Sequence, residues 1–398
     1  MDSDPLTVLI TLREEIESAE NAELVGVMYQ LEDFYERKLW FQLTELLSQQ
    51  FYKNPNSQPI RLKLFENFIL KFNDKINQLK LIEFLLLSIQ ESELPESLEY
   101  LLNLKQLIKN RKNIKKTDDD DIADIDILQA LLFLEIEIAG VKLKLGFVDE
   151  ASAIIDECSK KIETINWSLD NRINASYYFT NASLMKLKGD YTAVYYNSLL
   201  FLACIDDLEN LTNKQEIVRD ISVSALLGDK IYNFGEIIMH DIFKYLTIPW
   251  LKQLLLSLNS GDLKSFESVV TGKEIQQVAE LASNVNFLKQ KMCIMSLIEL
   301  IFNRPTKNRV FKYDDIRAHV PFLKDHNEVE NLIIKCFSLQ LIKGLINEVD
   351  SEVEVTWIQP RTMTVEQIQA MKGQLETWTS KVADLNEYMA VSGKELWV

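Results

Sequence analysis

Leu345-Ile346-Asn347-Glu348-Val349-Asp350-Ser351-Glu352-Val353-Glu354-Val355-Thr356-Trp357 is the stretch that decides the fold. From Glu352 to Trp357 polar and apolar residues alternate strictly, the period of a strand, which predicts Val353, Val355 and Trp357 on one face. Asp350-Ser351 supplies a turn, so the stretch reads as a β-hairpin, almost the only convincing β-structure in the chain. Upstream, the pattern predicts three helices: Lys291 to Phe302, ended by Arg304-Pro305, then Tyr313 to His319, then Glu328 to Leu339. Three helices and a hairpin make a winged helix.

Downstream, Val365 to Met389 holds Ile368, Met371, Leu375, Trp378, Val382, Leu385 and Met389 at spacings that alternate three and four. That is an uninterrupted heptad seam, which a lone helix leaves as an exposed apolar stripe, so it calls for partner helices. Gly373 weakens this helix by about 1 kcal/mol relative to Ala, a cost that packing of the seam outweighs.

Upstream of the winged helix the chain reads as helical repeats. Leu24 to Tyr35, Leu39 to Phe51, Ile60 to Phe72 and Gln78 to Ile89 are amphipathic, broken at Asn54-Pro55-Asn56-Ser57-Gln58-Pro59. Between 105 and 126 a basic block (Lys109, Arg111, Lys112, Lys115, Lys116) gives way to an acidic one (Asp118 to Asp121, Asp124, Asp126), the signature of a solvated linker. The aspartates lack the Gly and distal Glu of a calcium loop. From 127 onward a leucine-rich helix repeatedly ends at a Gly that opens the next: Gly146, Gly189, Gly228 and Gly261. Such spacing suits tetratricopeptide-like helix pairs, each burying its apolar face only against its neighbours. The expected division is 1–126 and 127–289 as helical repeats, 290–361 as winged helix, and 362–398 as bundling helix.

With 398 residues, 47% hydrophobic content and only 11 Gly and 8 Pro, the chain is starved of turns, and the expected class is a mostly α solenoid. A net charge of −17 repels nucleic-acid phosphates and anionic membranes and points to protein partners. The winged helix carries the same sign: its third helix opens Asn327-Glu328-Val329-Glu330-Asn331, and its wing bears Glu348, Asp350, Glu352 and Glu354. No basic leader precedes Pro5, and no apolar run approaches the roughly 18 residues of a membrane span, so a soluble, non-secreted protein is expected. Cys158, Cys204, Cys293 and Cys336 lie far apart within apolar stretches and read as reduced core thiols. Only His240, His319 and His326 are present, none in a metal or nucleophile motif, and no phosphate-binding glycine loop occurs. No enzyme activity and no cofactor are expected.

A helical-repeat array running into a winged helix and a final bundling helix is the layout of the PCI family, found in the proteasome lid, the COP9 signalosome and translation initiation factor three. Five segments resemble, more specifically, a PCI subunit of the 26S proteasome regulatory-particle lid: Leu31 to Trp40, Lys63 to Ile69, Tyr232 to His240, Lys343 to Asp350, and Thr356-Trp357-Ile358-Gln359-Pro360-Arg361. They run in order, and the resemblance extends from about Leu31 to Trp378. It implies a non-catalytic structural role in ubiquitin-dependent degradation, in the cytoplasm and nucleus. It implies docking to other PCI subunits through the winged helix, with Val353, Val355 and Trp357 supporting the wing. The seam from Ile368 to Met389 then enters a helical bundle that includes the isopeptidase-type subunits, and a ubiquitin receptor is a further implied partner. The metal-binding motif of the lid isopeptidase is absent. Alternatives are a scaffold subunit of the signalosome or of initiation factor three and, in another class, a winged-helix nucleic-acid binder.

Overall fold

Leucine-rich segments punctuated by Gly and Pro fold as helices along most of the chain. The computed structural model describes residues 5–18, 22–114, 121–205, 211, 213–304, 309–363 and 365–392. They group into two compact units, residues 1–207 and 208–398.

The first unit contains α1 (Pro5–Ser18), α2 (Ala22–Glu36), α3 (Trp40–Leu46), α4 (Gln58–Asn67), α5 (Gln78–Ser88), α6 (Leu94–Ile114), α7 (Asp121–Lys144), α8 (Val148–Thr164), α9 (Asn171–Lys188) and α10 (Tyr191–Ala203). Helix α7 is apolar around most of its girth. It is therefore central, packing against α5, α6, α8 and α9 and burying Leu132, Phe133, Leu134, Ile136 and Ile138. Of its partly buried acids, Glu135 is held by Lys161 at 2.7 Å and Lys105 at 3.0 Å, tying three helices together. The proline-rich break folds as a 3₁₀ turn, Pro55–Ser57, over which the buried Arg61 donates to the carbonyls of Tyr52 and Asn54 and to the Ser57 hydroxyl.

Two sequence expectations are modified here. The helix predicted over Ile60 to Phe72 stops at Asn67, and Ile69–Lys75 continues as 3₁₀ turns with a kink at Phe72. The block at 105–126 is helical at both ends, through Ile114 and from Asp121, with 115–120 outside the described residues. Aspartates at a helix N-terminus complement its dipole, so an acidic run starts α7 as readily as it would form a loop.

The second unit contains α11 (Lys214–Leu227), α12 (Gly235–Met239), α13 (Pro249–Ser260), α14 (Leu263–Val270), α15 (Ala279–Ser283), α16 (Val285–Asn303), β1 (Val310–Lys312), α17 (Tyr313–His319), α18 (His326–Ser338), β2 (Ile342–Asn347), β3 (Glu352–Ile358) and α19 (Val365–Ser392). Of the four expected hinge glycines, Gly146, Gly189 and Gly261 adopt φ of 90°, 78° and 71°, left-handed geometry that favours Gly. Gly228 instead has φ −67°, so α11 runs out into extended chain rather than a tight turn. The mostly helical class, the repeats and the long final helix match the sequence expectation. The small sheet has one strand more than expected: β1 pairs antiparallel with β3, giving the order β1-β3-β2. Three residues give too short a run for alternation to register, but the buried Phe311 at its centre holds it in place. No helix among the described residues is long and apolar enough to cross a membrane.

Candidate docking surfaces

The sheet of the winged helix is the first surface. Strand β3 is central, which leaves β1 and β2 as edges. Val353 and Val355 are buried against the helices, at 2% and 4% exposure, whereas Trp357 is 39% exposed. The expectation that all three share one face is corrected by the register. Lys343 faces Trp357 and Gly344 faces Val355, so Thr356 is an extra, unpaired residue, a β-bulge that reverses the alternation. Trp357 accordingly turns outward, and the Lys343 ammonium stands 5.0 Å over its ring. Gly344 permits the bulge, because a Cβ there would lie 2.1 Å from the Glu354 carbonyl oxygen. Leu345 and Val349 extend this exposed apolar strip along β2 and the turn, at 69% and 94% exposure. Acidic residues border it: Glu348, Asp350 and Glu354 are exposed, and Glu352 is half-buried.

The second surface is α19. All its described side chains are exposed, including every residue of the heptad seam: Ile368, Met371, Leu375, Trp378, Val382, Leu385 and Met389. Val365, Tyr388 and Val391 add to the apolar area. Among the described residues, none covers the stripe.

Between the sheet and α19 runs the segment Gln359-Pro360-Arg361-Thr362, and it is firmly seated. The Gln359 amide donates to the Leu341 carbonyl at 2.8 Å. Arg361 pairs with Glu299 of α16 at 2.5 Å, both side chains largely buried. The Thr362 hydroxyl donates to Asn233 Oδ1 at 3.2 Å, and the Asn233 amide donates in turn to Glu236. Gly235 makes the seat possible, since a Cβ there would overlap the Thr362 hydroxyl.

Beneath this seat lies a feature that sequence reading missed. Lys291, 1% exposed on α16, donates to the carbonyls of Ala225, Leu226 and Gly228 at 2.8, 3.2 and 2.8 Å. These carbonyls close the C-terminus of α11, where a helix has acceptors without intrahelical donors. The rings of Tyr232, Phe234 and Phe287 enclose the ammonium at 5.1 to 5.7 Å. Burial pulls its pKa down to about 7, against a smaller opposing pull from Asp229. A lysine that follows Lys289 and Gln290 at the edge of an apolar helical run carries no signature of such a role.

Cys158, Cys293 and Cys336 are buried, and burial pushes their thiols up to about 12, 11 and 12; Cys204 is only half-buried. Among the described residues no three His, Cys, Asp or Glu side chains group as metal ligands.

Residues 27–255 match the family model described as PSD13 N-terminal repeats. Over 98% of both chains, the sequence is 37% identical to the 26S proteasome regulatory subunit RPN9 of Saccharomyces cerevisiae. The chain belongs to the RPN9/PSD13 family of 26S proteasome regulatory subunits. The probable regulatory subunit rpn9 of Schizosaccharomyces pombe is 36% identical over 92% of both chains. The 26S proteasome non-ATPase regulatory subunit 13 homolog A of Arabidopsis thaliana is 32% identical over 88% of this chain and 90% of its own. Two of the segments that carried the resemblance to this family, Tyr232 to His240 and Thr356 to Arg361, are 116 residues or more apart in sequence, yet Asn233 of the first accepts from Thr362, the residue that follows the second.

Proposed function

We propose that this proteasome regulatory subunit is a non-catalytic structural member of the regulatory-particle lid, acting in ubiquitin-dependent protein degradation by holding neighbouring subunits in register. The observation that carries the reading is the final helix: seven apolar residues in heptad spacing, all exposed, on a 28-residue helix. A helix of this kind is stable as one member of a bundle. Its occupants are the apolar seams of other lid subunits' helices, those of the isopeptidase-type subunits among them. Residues 290–361 form the second docking module. There β2 presents an unpaired edge beside Leu345 and Trp357, on which a neighbour's strand can continue the sheet. Val353 and Val355 act from behind, by fixing the sheet on its helices. The helical repeats at 1–126 and 127–289 space these two modules from the rest of the particle, in the cytoplasm and nucleus.

Replacing Leu375 and Leu385 by Asp tests the reading. Each Leu gives up about 1.5–3 kcal/mol of burial in the bundle, and each buried carboxylate adds a further penalty, together more than about 5 kcal/mol, or over a thousandfold in affinity. The double variant should fold normally and fail to enter the lid. Normal incorporation of the folded double variant contradicts the bundling role.

A further inference from the structure

The seat described above ties the root of α19 to the body of the second unit, and every described side chain along the helix is exposed. At ~1.5 Å per residue its 28 residues reach ~42 Å, so a swing of ~20° at the root displaces the far end by ~14 Å. Such a lever amplifies any looseness where it is attached. The attachment is built from parts distant in sequence: the loop before α12 (Asn233), the start of α12 (Gly235), the C-terminal part of α16 (Glu299) and Leu341, the residue before β2. Arg361 is its centre. Its guanidinium pairs with Glu299, packs 5.7 Å from the Phe302 ring and is 13% exposed, an arrangement that fixes a planar side chain in one orientation. Pro360 before it limits the backbone further.

We propose that Arg361, with Glu299 and the Asn233/Gly235/Thr362 seat, is a positioning device that sets the angle at which α19 leaves the second unit, so that the helix is presented to its bundle already aimed. The inference rests on the assembly role of α19. Holding the helix in its bound direction before association reduces the entropy lost on binding, which is what makes preorganisation favourable. The ion pair is largely buried and precedes the apolar seam, which begins at Ile368, so the device acts through α19.

The test uses the full-length chain with Cys204 replaced by Ser and spin labels on cysteines introduced at Ser338 and Lys381, both exposed. Double electron–electron resonance then reports the distance between α18 and α19. The parent should give a narrow distribution. Arg361→Ala and Glu299→Ala should each broaden it at least about twofold, and the double variant should be no broader than either single one, as residues acting through one contact require. Incorporation into the lid should fall about two- to tenfold for the same three variants, the loss expected when a preorganised segment becomes loose. An unchanged distribution in both single variants overturns the proposal. So does a drop in melting temperature with the distribution still narrow, which is the signature of a purely structural pair. The distance measurement is made on the isolated chain, so it stands or falls independently of whether the Leu375/Leu385 variant incorporates.

Discussion

Replacing Lys291 with Met keeps the volume of the side chain and removes its amine and the donors that go with it. The Ala225, Leu226 and Gly228 carbonyls, which accept from the ammonium at 2.8 to 3.2 Å, are then left at a buried helix terminus. An unsatisfied buried acceptor costs about 1–3 kcal/mol, and relief from desolvating the ammonium offsets part of the total, leaving a net loss of about 3–5 kcal/mol. The pH dependence gives a second, independent check. With the native pKa lowered to about 7 and the unfolded lysine near 10.4, the unfolded state binds close to one proton more than the native state across the intervening range. Stability therefore rises with pH there, at about 1.4 kcal/mol per pH unit, and this gain is lost as pH falls through 10.4 towards 7. Between about pH 7.5 and 9.5 wild type should gain about 2 kcal/mol relative to Lys291→Met, because every other titrating group is common to both chains. Scanning calorimetry at the two pH values measures both effects. The variant's melting transition for the second unit should fall by about 6–12 °C at pH 7.5, and the gap should widen at pH 9.5. A shift of less than about 2 °C, with the gap unchanged between the two pH values, refutes the assignment of Lys291 as a buried cap whose charge is held down by its surroundings.

Gly344→Ala drives a Cβ to 2.1 Å from the Glu354 carbonyl oxygen, so thermal melts should show a loss of about 2 kcal/mol or more and weaker protection of β2 amides in hydrogen exchange. Gly26→Ala on α2 meets nothing within 4 Å and should instead stabilise the first unit by about 0.5–1 kcal/mol, read from the same melts. Arg61→Ala removes a buried guanidinium from the Tyr52 and Asn54 carbonyls and the Ser57 hydroxyl, and should cost about 3 kcal/mol, visible as faster exchange in α4. Iodoacetamide on the native chain, followed by mass spectrometry, should mark Cys204 well before Cys158, Cys293 or Cys336, whose thiols are buried and pushed up to about 11 or 12.

Hydrophobic periodicity made the long elements legible. The α19 seam could be read residue by residue because nothing in the chain interrupts its heptads, and three of the four hinge glycines showed themselves by the left-handed turns they make. Features that depend on contacts between distant segments were hidden. The outward turn of Trp357 comes from a bulge opposite Gly344, set by backbone approach rather than by pattern. Strand β1 is only three residues long and takes its conformation from β3. Lys291 looks like any helix lysine until the end of α11 is placed beside it, and Arg361 shows its role only once Glu299 is within reach. A run such as Asp118 to Asp121 has the composition of a solvated linker, because charge runs are usually solvated, whereas the last of the four begins α7.

The central claim is that this subunit works as a lid scaffold whose final helix secures it among its neighbours. The most direct test is native affinity purification of the tagged full-length chain beside a version ending at Arg361, with mass spectrometry of what each retains. The account predicts that the full-length chain brings down the lid subunits and the proteasomal ATPases and that the shortened chain, still folded, loses them. Retention of the complete set by the shortened chain, or recovery of signalosome or initiation-factor subunits by the full-length one, contradicts it.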